Sequence, residues 1–587
     1  MNTKRFDIQG SKAQVIGNVE NSTFHMFYGE DGHKERWPEC FTKPDPHDVK
    51  TDIYQKRGNV LKESYAWILD HPDFQRWRDD KESQLLWIKG DPGKGKTMLL
   101  CGIIDQLDTK VETLLSFFFC RANDPKLSNA HAVLRSLIYM AVTGQPSLSS
   151  HIRDKLNGRV DPEFGDAEAW PALCNIFLSI LRDPRLKEMY VIIDALDECV
   201  QDQDKLLKFI LHEAKSPRVK WLISSRHNVE HRLRLEPSQS ILVLEDQKNA
   251  KYISQAVEAY ITRRTSQIES LQDDCSLQAH VQQILREKAE GTFLWVALVV
   301  QELENVDSWR VRDVVDNVPK GLDDLYMRMI DRIEQLESTD TEYCRLVLSA
   351  ATLAYRPLHL LELGAVSGLP DAISNNIKNI RKIVNRSGSF LTVHRETVDF
   401  VHQSAKDYLV GKAASAIFPS GSAAAHCSIV THSLQIMTKI LRRDIYDLRD
   451  PGTSIHQVQR PDPDPLAAAG YSCIYWVDHL EESRKADTFV RVLYCSWLQP
   501  FSFLLNIIGG ILVFMRLARE PQGGAVNYGL HDNLKDGGSV DTFLRERFLY
   551  WLEALSLLRS FTEGIKSIQK LERWLQVRFS YHIQQPS

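Results

Sequence analysis

Nearly continuous apolar runs alternate with amphipathic stretches between residues 84 and 235. The runs predict buried strands at 85–88, 114–119, 189–193 and 219–224. Between them, apolar residues at helical spacing predict helices at 132–138 and 206–212. Strands that are apolar on both faces and separated by helices are typical of a parallel sheet covered by helices on both sides. The pattern therefore predicts an α/β domain.

The sequence on either side of this domain has a helical pattern. Residues 61–77 place apolar side chains on one face of a predicted helix, and the chain beyond about residue 250 is mostly helical in pattern. Two short alternating runs, at 389–393 and 398–401, interrupt it and predict a β-hairpin. We interpret that hairpin as the wing of a winged-helix domain.

Two segments do not fit this organisation. Residues 13–29 alternate around the turn signal Gly17-Asn18, which predicts a disordered leader, with a β-arch signalling motif as the alternative. Residues 495–515 are uncharged and long enough to cross a bilayer. Because polar residues and Pro500 interrupt them, we favour a buried helical hairpin or a retained intron, and membrane contact is the alternative.

Composition narrows the function classes. A net charge of −5 is small for 587 residues, so no nucleic-acid partner is expected. Ten cysteines without a CxxC pair argue against zinc sites and a disulfide scaffold. The first residues also lack the apolar stretch of a secretory signal. Together these features favour a reducing, cytoplasmic location.

A complete phosphate-binding loop follows the first predicted strand. The G-x-x-x-x-G-K-T pattern is meaningful in a strand–loop–helix setting, and an apolar helical pattern follows it here. Glycines let backbone N–H groups wrap phosphates at the positive end of the helix dipole. Lys96 is expected to bind the β- and γ-phosphates, and Thr97 to bind Mg²⁺. The predicted nucleotide-binding residues are Gly90, Asp91, Pro92, Gly93, Lys94, Gly95, Lys96 and Thr97.

Two later strands end in residues that suit the same ligand. Asp194 follows the strand at 189–193, at the sheet edge where ligands bind, and is predicted to coordinate Mg²⁺ with Thr97. Asp197 and Glu198 are candidates to orient or activate the attacking water. The strand at 219–224 leads to Arg226, a candidate sensor of the γ-phosphate.

The three motifs together, GDPGKGKT, DALDEC and SSR, resemble those of the NACHT class of signal-transducing P-loop NTPases. The similarity is greatest to fungal vegetative-incompatibility and NACHT–WD-repeat proteins. It covers roughly residues 40–480 and 532–575, and includes the stretches KAEGTFLW at 288–295 and GLDDLY at 321–326. The WD-repeat propeller of that family has no counterpart in this sequence, so we expect a truncated gene or a receptor without its sensor.

The resemblance implies a domain order. The expected fold is an α/β P-loop NTPase domain followed by mainly α-helical domains that include a winged helix. The boundaries are 1–50 for the leader, 51–83 for a helical lead-in, 84–235 for the NACHT domain, 245–335 for a helical subdomain, 340–412 for the winged helix and 425–587 for a C-terminal helical region with an apolar insertion at about 481–531.

The resemblance also implies a function. His402 is expected to contact the diphosphate of bound nucleotide and to stabilise a closed state. The expected activity is a weak NTPase that serves as a switch, with Mg²⁺ and ATP or GTP, and ADP or GDP at rest. Exchange for triphosphate would open the chain and expose a self-associating surface in fungal non-self recognition or cell death. The alternatives are an ATP-driven remodelling enzyme and a nucleotide-binding scaffold attached to a membrane.

Overall fold

The computed structural model describes most of the chain in two compact units, Met1–Leu325 and Tyr326–Ser587. The described residues are 26–28, 34–36, 44–58, 61–108, 113–152, 166–213, 216–230, 239–449, 453–455, 457–485 and 538–583. Residues 495–515, and all of the 13–29 segment except 26–28, lie outside them. Among the described helices, none combines the length and apolar character needed to cross a bilayer.

A five-stranded parallel sheet forms the centre of the first unit. Its strands are β3 (Leu85–Lys89), β4 (Leu114–Phe119), β5 (Met189–Asp194), β6 (Val219–Ser225) and β7 (Gln239–Val243), in the order β4-β5-β6-β3-β7. Every residue of β3 and β5 is buried, as expected for strands covered on both faces. A separate antiparallel pair near the N-terminus consists of β1 (Met26–Tyr28) and β2 (Lys34–Arg36).

Helices lie before, between and after these strands in the first unit. They are α1 (Pro46–Arg57), α2 (Lys62–Leu69), α3 (Pro72–Asp79), α4 (Lys96–Leu107), α5 (Ala130–Gly144), α6 (Asp166–Arg182), α7 (Gln203–Lys208), α8 (Gln247–Thr265), α9 (Cys275–Lys288), α10 (Phe293–Leu303) and α11 (Ser308–Asp316). A π-helical turn, Phe209–Glu213, continues α7, so the helix predicted at 206–212 is present with a changed pitch. The boundary between the two units falls within α12 (Leu322–Glu334).

One prediction of secondary structure was wrong, and one strand was missed. The single helix predicted over 61–77 is two helices, because α2 ends at Leu69 and α3 begins at Pro72. Proline is favoured in the first turn of a helix and disrupts a helix interior, and the His71 side chain accepts a hydrogen bond from the Asp73 N–H at the new start. Strand β7 was missed because it begins with two polar residues and its apolar run, at 241–244, is short.

The second unit contains the winged helix. Helix α13 (Ser338–Leu353) leads to a short strand β8 (Leu358–His359), then to α14 (Leu360–Val366), α15 (Asp371–Ser374) and α16 (Ile377–Arg386). The predicted hairpin follows as β9 (Leu391–His394) and β10 (Thr397–Phe400), and β10 also pairs with β8. The remaining helices are α17 (Gln403–Val410), α18 (Ala414–Ile417), α19 (Ser422–Ile440), α20 (Gly470–Lys485), α21 (Ser539–Leu557) and α22 (Phe561–Ile583).

Candidate nucleotide-binding site

The predicted phosphate loop joins the end of β3 to the start of α4. The start of the loop is anchored to the neighbouring strand β6, because the Gly90 N–H donates a hydrogen bond to the Ser225 carbonyl, 3.2 Å. Gly93 and Gly95 have φ values of 78° and 84°, which a residue with a Cβ adopts only with strain. Gly95 is the residue that caps α4, so its left-handed conformation directs the first turn of that helix.

The start of α10 packs directly on this loop. A Cβ atom on Gly93 would lie 2.9 Å from side-chain atoms of Thr292 and Leu294, and one on Gly95 would lie 2.9 Å from the Phe293 ring. The Leu294 N–H also donates to the Gly93 carbonyl, 3.3 Å. We name residues 290–294 the cover segment. The glycines of the loop are therefore required twice, for backbone conformation and for contact with the cover segment.

Lys96 is a largely buried cation among acidic groups. Its Nζ donates to the carbonyl oxygens of Gly90, 2.5 Å, and Asp91, 3.0 Å. Burial lowers the pKa of Lys96, and the negative charges of Asp197, Asp194 and Glu245 oppose that effect. The ammonium group thus lies where phosphate oxygens can replace the loop carbonyls as its partners.

Asp194, at the end of β5, accepts hydrogen bonds from two hydroxyl groups. The Ser224 hydroxyl is 2.5 Å from its Oδ1, and the Thr97 hydroxyl also bonds to it. Burial raises the pKa of Asp194, and the two hydroxyls and nearby cations oppose this rise. A hydroxyl and a carboxylate side by side are hard oxygen ligands of the kind that Mg²⁺ prefers. The donor set therefore fits the predicted metal site at Thr97 and Asp194.

The structure separates the environments of the two acids that follow. Asp197 accepts a hydrogen bond from the backbone N–H of Arg226 and forms an ion pair with its Nε, each at 3.1 Å. Glu198 accepts a hydrogen bond from the Ala122 N–H, 3.1 Å, and burial raises the pKa of Glu198 to about 7. Asp197 thus orients Arg226, and Glu198 is the acid whose pKa suits proton transfer near neutral pH.

His402 belongs to the second unit, unlike the other predicted site residues. It caps α17, where its Nδ1 accepts a hydrogen bond from the Ser404 N–H, 3.1 Å, and lies 2.8 Å from the Ser404 hydroxyl. The capping bond fixes the orientation of the imidazole ring at the start of the helix. The role of His402 in nucleotide binding remains a prediction.

Sequence reasoning missed a group of side chains beside the loop. The Asp91 N–H donates to Oε1 of Glu245, 2.6 Å, and the Nε2 of His227 lies 3.2 Å from Oε2 of Glu245. Asp91, His227 and Glu245 place one side-chain ligand atom each within 4.8 Å of the others. The signal was available, because Glu245 follows an apolar run, as Asp194 does. The run was not recognised as a strand.

A parallel sheet with a phosphate loop after β3, an aspartate at the end of β5 and an arginine after β6 defines a P-loop NTPase. Comparisons with known proteins agree with this class. The family described as Nephrocystin 3, N-terminal, matches residues 63–226. The chain is 41% identical over 550 residues to the vegetative incompatibility protein HET-E-1 of Podospora anserina, which covers 90% of this chain and 37% of that protein.

The predicted resemblance is therefore confirmed. Similarity to a fungal vegetative-incompatibility protein over 90% of this chain supports its assignment to the NACHT-type P-loop NTPases. It spans 37% of the length of the curated relative it matches.

Two solved structures resemble the chain at low sequence identity and low TM-score. The Walker-type ATPase of Pyrococcus abyssi is 13% identical, with 63% of this chain and 99% of that chain covered and a TM-score of 0.27. The Aeropyrum pernix ORC1 protein in complex with DNA is 15% identical, with 64% and 96% covered and a TM-score of 0.26. The fold assignment accordingly rests on the strand order and the loop themselves.

Proposed function

We propose that the chain is a nucleotide-controlled signalling switch, in which ATP or GTP is bound with Mg²⁺ and hydrolysed slowly. The convergence of Lys96, Asp194 and Arg226 at the carboxyl edge of one sheet carries this proposal. Mg²⁺, when bound, supplies charge that neutralises phosphate oxygens. Lys96 binds the phosphates, Thr97 and Asp194 hold the metal ion, and Arg226 senses the terminal phosphate.

Slow turnover is supported by the engagement of Asp197 with Arg226. While that pair is intact, Asp197 is not available as a base, and Arg226 must leave it to reach a phosphate group. Glu198, whose pKa is about 7, remains the candidate base. The need to break the Asp197–Arg226 pair before hydrolysis favours a switch over a rapid motor.

The similarity to a vegetative incompatibility protein supports a role in fungal non-self recognition, with programmed cell death as its outcome. Under this proposal triphosphate binding opens the chain and promotes self-association, and diphosphate stabilises the resting state. A ligand shifts such an equilibrium only through its different affinities for the two states. The expected partners are therefore nucleotide, further copies of the chain and a downstream effector.

The binding of nucleotide can be tested with Lys96→Ala in the full chain. Loss of the ammonium group should weaken binding on the order of 100-fold, since several charge-assisted hydrogen bonds are lost. Equilibrium binding of fluorescent ATP, GTP, ADP and GDP measures this effect and also identifies the base. Lys126→Ala, at an exposed lysine of the same domain, is the matched control. Equal affinity of Lys96→Ala and the unmodified chain would contradict the proposal.

The resting state can be tested with His402→Ala. If His402 contacts the diphosphate, this variant should release bound diphosphate faster and show raised basal self-association. Stopped-flow dissociation and light scattering measure the two effects. An unchanged dissociation rate would remove His402 from the proposed site and leave the phosphate loop in place.

A further inference from the structure

We propose that Asp91, His227 and Glu245 form a clasp that couples the arginine sensor to the phosphate loop. The inference rests on the proposed function and assigns a regulatory role to residues beside the same site. Under it, the clasp sets how strongly the chain discriminates triphosphate from diphosphate. Glu245 and His227 are positioning residues, since they act through the loop and the sensor.

The sheet fixes Glu245 next to the first glycine of the loop. Strand β7 runs parallel to β3 with Val243 opposite Lys89, and the Leu244 N–H donates to the Lys89 carbonyl, 2.9 Å. A Cβ atom on Gly90 would lie 3.1 Å from Oε1 of Glu245. Gly90 therefore permits a close approach between the loop backbone and a carboxylate that rigid strands position.

The loop backbone at residues 90 and 91 is held from two sides. On one side, the Asp91 N–H donates to Glu245, 2.6 Å, which is a short, charge-assisted bond. On the other, the Lys96 ammonium group donates to the carbonyl oxygens of Gly90 and Asp91. The charge of Glu245 also favours the protonated form of Lys96. A displacement of Glu245 therefore changes both the loop and the lysine that binds phosphate.

His227 connects this carboxylate to the sensor. Its Nε2 lies 3.2 Å from Oε2 of Glu245 and 3.8 Å from Oδ1 of Asp91. His227 directly follows Arg226, whose backbone N–H is fixed by Asp197. One peptide unit thus separates the arginine that senses phosphate from the imidazole that contacts the clasp.

These contacts give the coupling a direction. Movement of Arg226 toward a terminal phosphate would break its bonds to Asp197 and shift His227 with it. The shift would change the contact with Glu245 and, through the Asp91 N–H, the conformation of the loop. A nucleoside diphosphate lacks the γ-phosphate that Arg226 would contact, so it leaves the clasp unchanged. Such coupling is measurable as a difference in binding free energy between the two ligands.

The test is a double-mutant cycle on the affinity ratio of Mg²⁺–ATP to Mg²⁺–ADP, repeated with GTP and GDP, in the full chain. We expect His227→Ala to change the ratio by about fivefold or more, a typical allosteric coupling, while diphosphate binding is kept. In an Arg226→Ala background, His227→Ala should change the ratio no further, because the two residues act in one pathway. The matched control is His280→Ala, at a partly exposed histidine paired with Asp316 in the same unit.

Substitution of Glu245 supplies a second, independent arm. Glu245→Ala removes the acceptor of the Asp91 N–H and should weaken the binding of both nucleotides. Glu245→Gln keeps an oxygen acceptor and should restore diphosphate binding, but not the ratio, because the charged partner of His227 is lost. A ratio that His227→Ala and Glu245→Gln both leave unchanged overturns the clasp. If Lys96→Ala also retains full affinity, the proposed function itself fails, which separates the two results.

Discussion

Among single residues, Glu198 combines burial, a defined hydrogen bond and a pKa near neutrality. Its Oε2 accepts one backbone N–H, from Ala122, which favours the charged form, while burial favours the neutral form more strongly. The balance leaves a carboxyl group that can gain or lose a proton near pH 7. Its neighbour Asp197 is instead engaged by Arg226. The two acids of one short turn therefore have different roles.

We predict that hydrolysis depends on pH through Glu198. If its carboxylate is the base, the single-turnover rate should rise about tenfold between about pH 6 and about pH 8, following ionisation at a pKa of about 7. Single-turnover assays with bound triphosphate measure this profile. Glu198→Gln should lower the rate and flatten the profile. A rate that still rises with pH in Glu198→Gln would exclude Glu198 as the base.

Asp194 leads to a prediction that combines stability and metal binding. Because burial raises its pKa in the folded state, the folded chain binds more protons than the unfolded chain above the ordinary pKa, and ionisation of Asp194 lowers stability at neutral pH. In the absence of Mg²⁺, Asp194→Asn should therefore increase the midpoint of urea unfolding. The same variant should lose the effect of Mg²⁺ on nucleotide affinity. Unfolding that is unchanged, with Mg²⁺ dependence retained, would contradict the assignment.

At the scale of elements, the loop and the cover segment form one packed unit. Gly93 and Gly95 approach the start of α10 so closely that neither position has room for a side chain. Lys94 adds a polar contact, since its Nζ donates to the Glu290 carbonyl, 2.7 Å. The position of α10 and the conformation of the loop are therefore linked.

Gly95→Ala should disturb both at once. The φ of 84° costs about 1–2 kcal/mol for a residue with a Cβ, and the contact with Phe293 adds to this cost. We expect a lower unfolding midpoint and faster nucleotide dissociation. Phe293→Ala alone removes the ring and its contact with Tyr260, so it is the reference for the double variant. In that background Gly95→Ala should cost only the backbone strain, and an equal cost of Gly95→Ala with and without Phe293 would contradict the contact between the cover segment and the loop.

The sequence predicted the elements whose pattern is local. Strands β3 and β5 are apolar on both faces, and the glycine and proline signals of the loop lie within eight residues. It did not predict the break at Pro72, because the apolar face continues across it. Glu245 lies 154 positions along the chain from Asp91, its partner in the loop. Glu290 of the cover segment lies 196 positions from Lys94, its partner in the loop. Residue spacing carries no information about such contacts.

At the scale of the whole molecule, the two units carry buried groups that respond to acid in opposite ways. In the first unit, burial raises the pKa values of Asp194 and Glu198, and protonation of Glu198 between about pH 7 and about pH 5 favours the folded state. In the second unit, burial lowers the pKa values of His432 and His479. Because these two histidines bind protons more readily in the unfolded chain than in the folded chain, acid favours unfolding of the second unit.

His479 is the centre of a buried polar network in the second unit. Its Nε2 lies 2.6 Å from the Tyr471 hydroxyl, and its Nδ1 lies 2.7 Å from Nδ1 of His426. The Tyr471 oxygen also accepts the Tyr355 N–H, 3.2 Å. Burial, His426 and the Lys406 ammonium group together hold the pKa of His479 well below its usual range. Charging this ring would place a cation at a fully buried position, in contact with a second histidine and within the field of a lysine.

We therefore predict that mild acid unfolds the second unit first. Neutral His479 and His432 stabilise the second unit fully above the ordinary histidine pKa of about 6.5. This contribution to the free energy of unfolding declines as the pH falls below that value. Asp478, whose pKa is raised by burial, acts in the opposite sense, and its ion pair with Lys570 opposes that rise. Thermal unfolding at about pH 7.5 and about pH 5.5, with limited proteolysis to assign each transition, should show the two units separating in acid. His479→Gln removes the titrating ring and should reduce that separation, whereas a first unit that unfolds earlier in acid would contradict the argument.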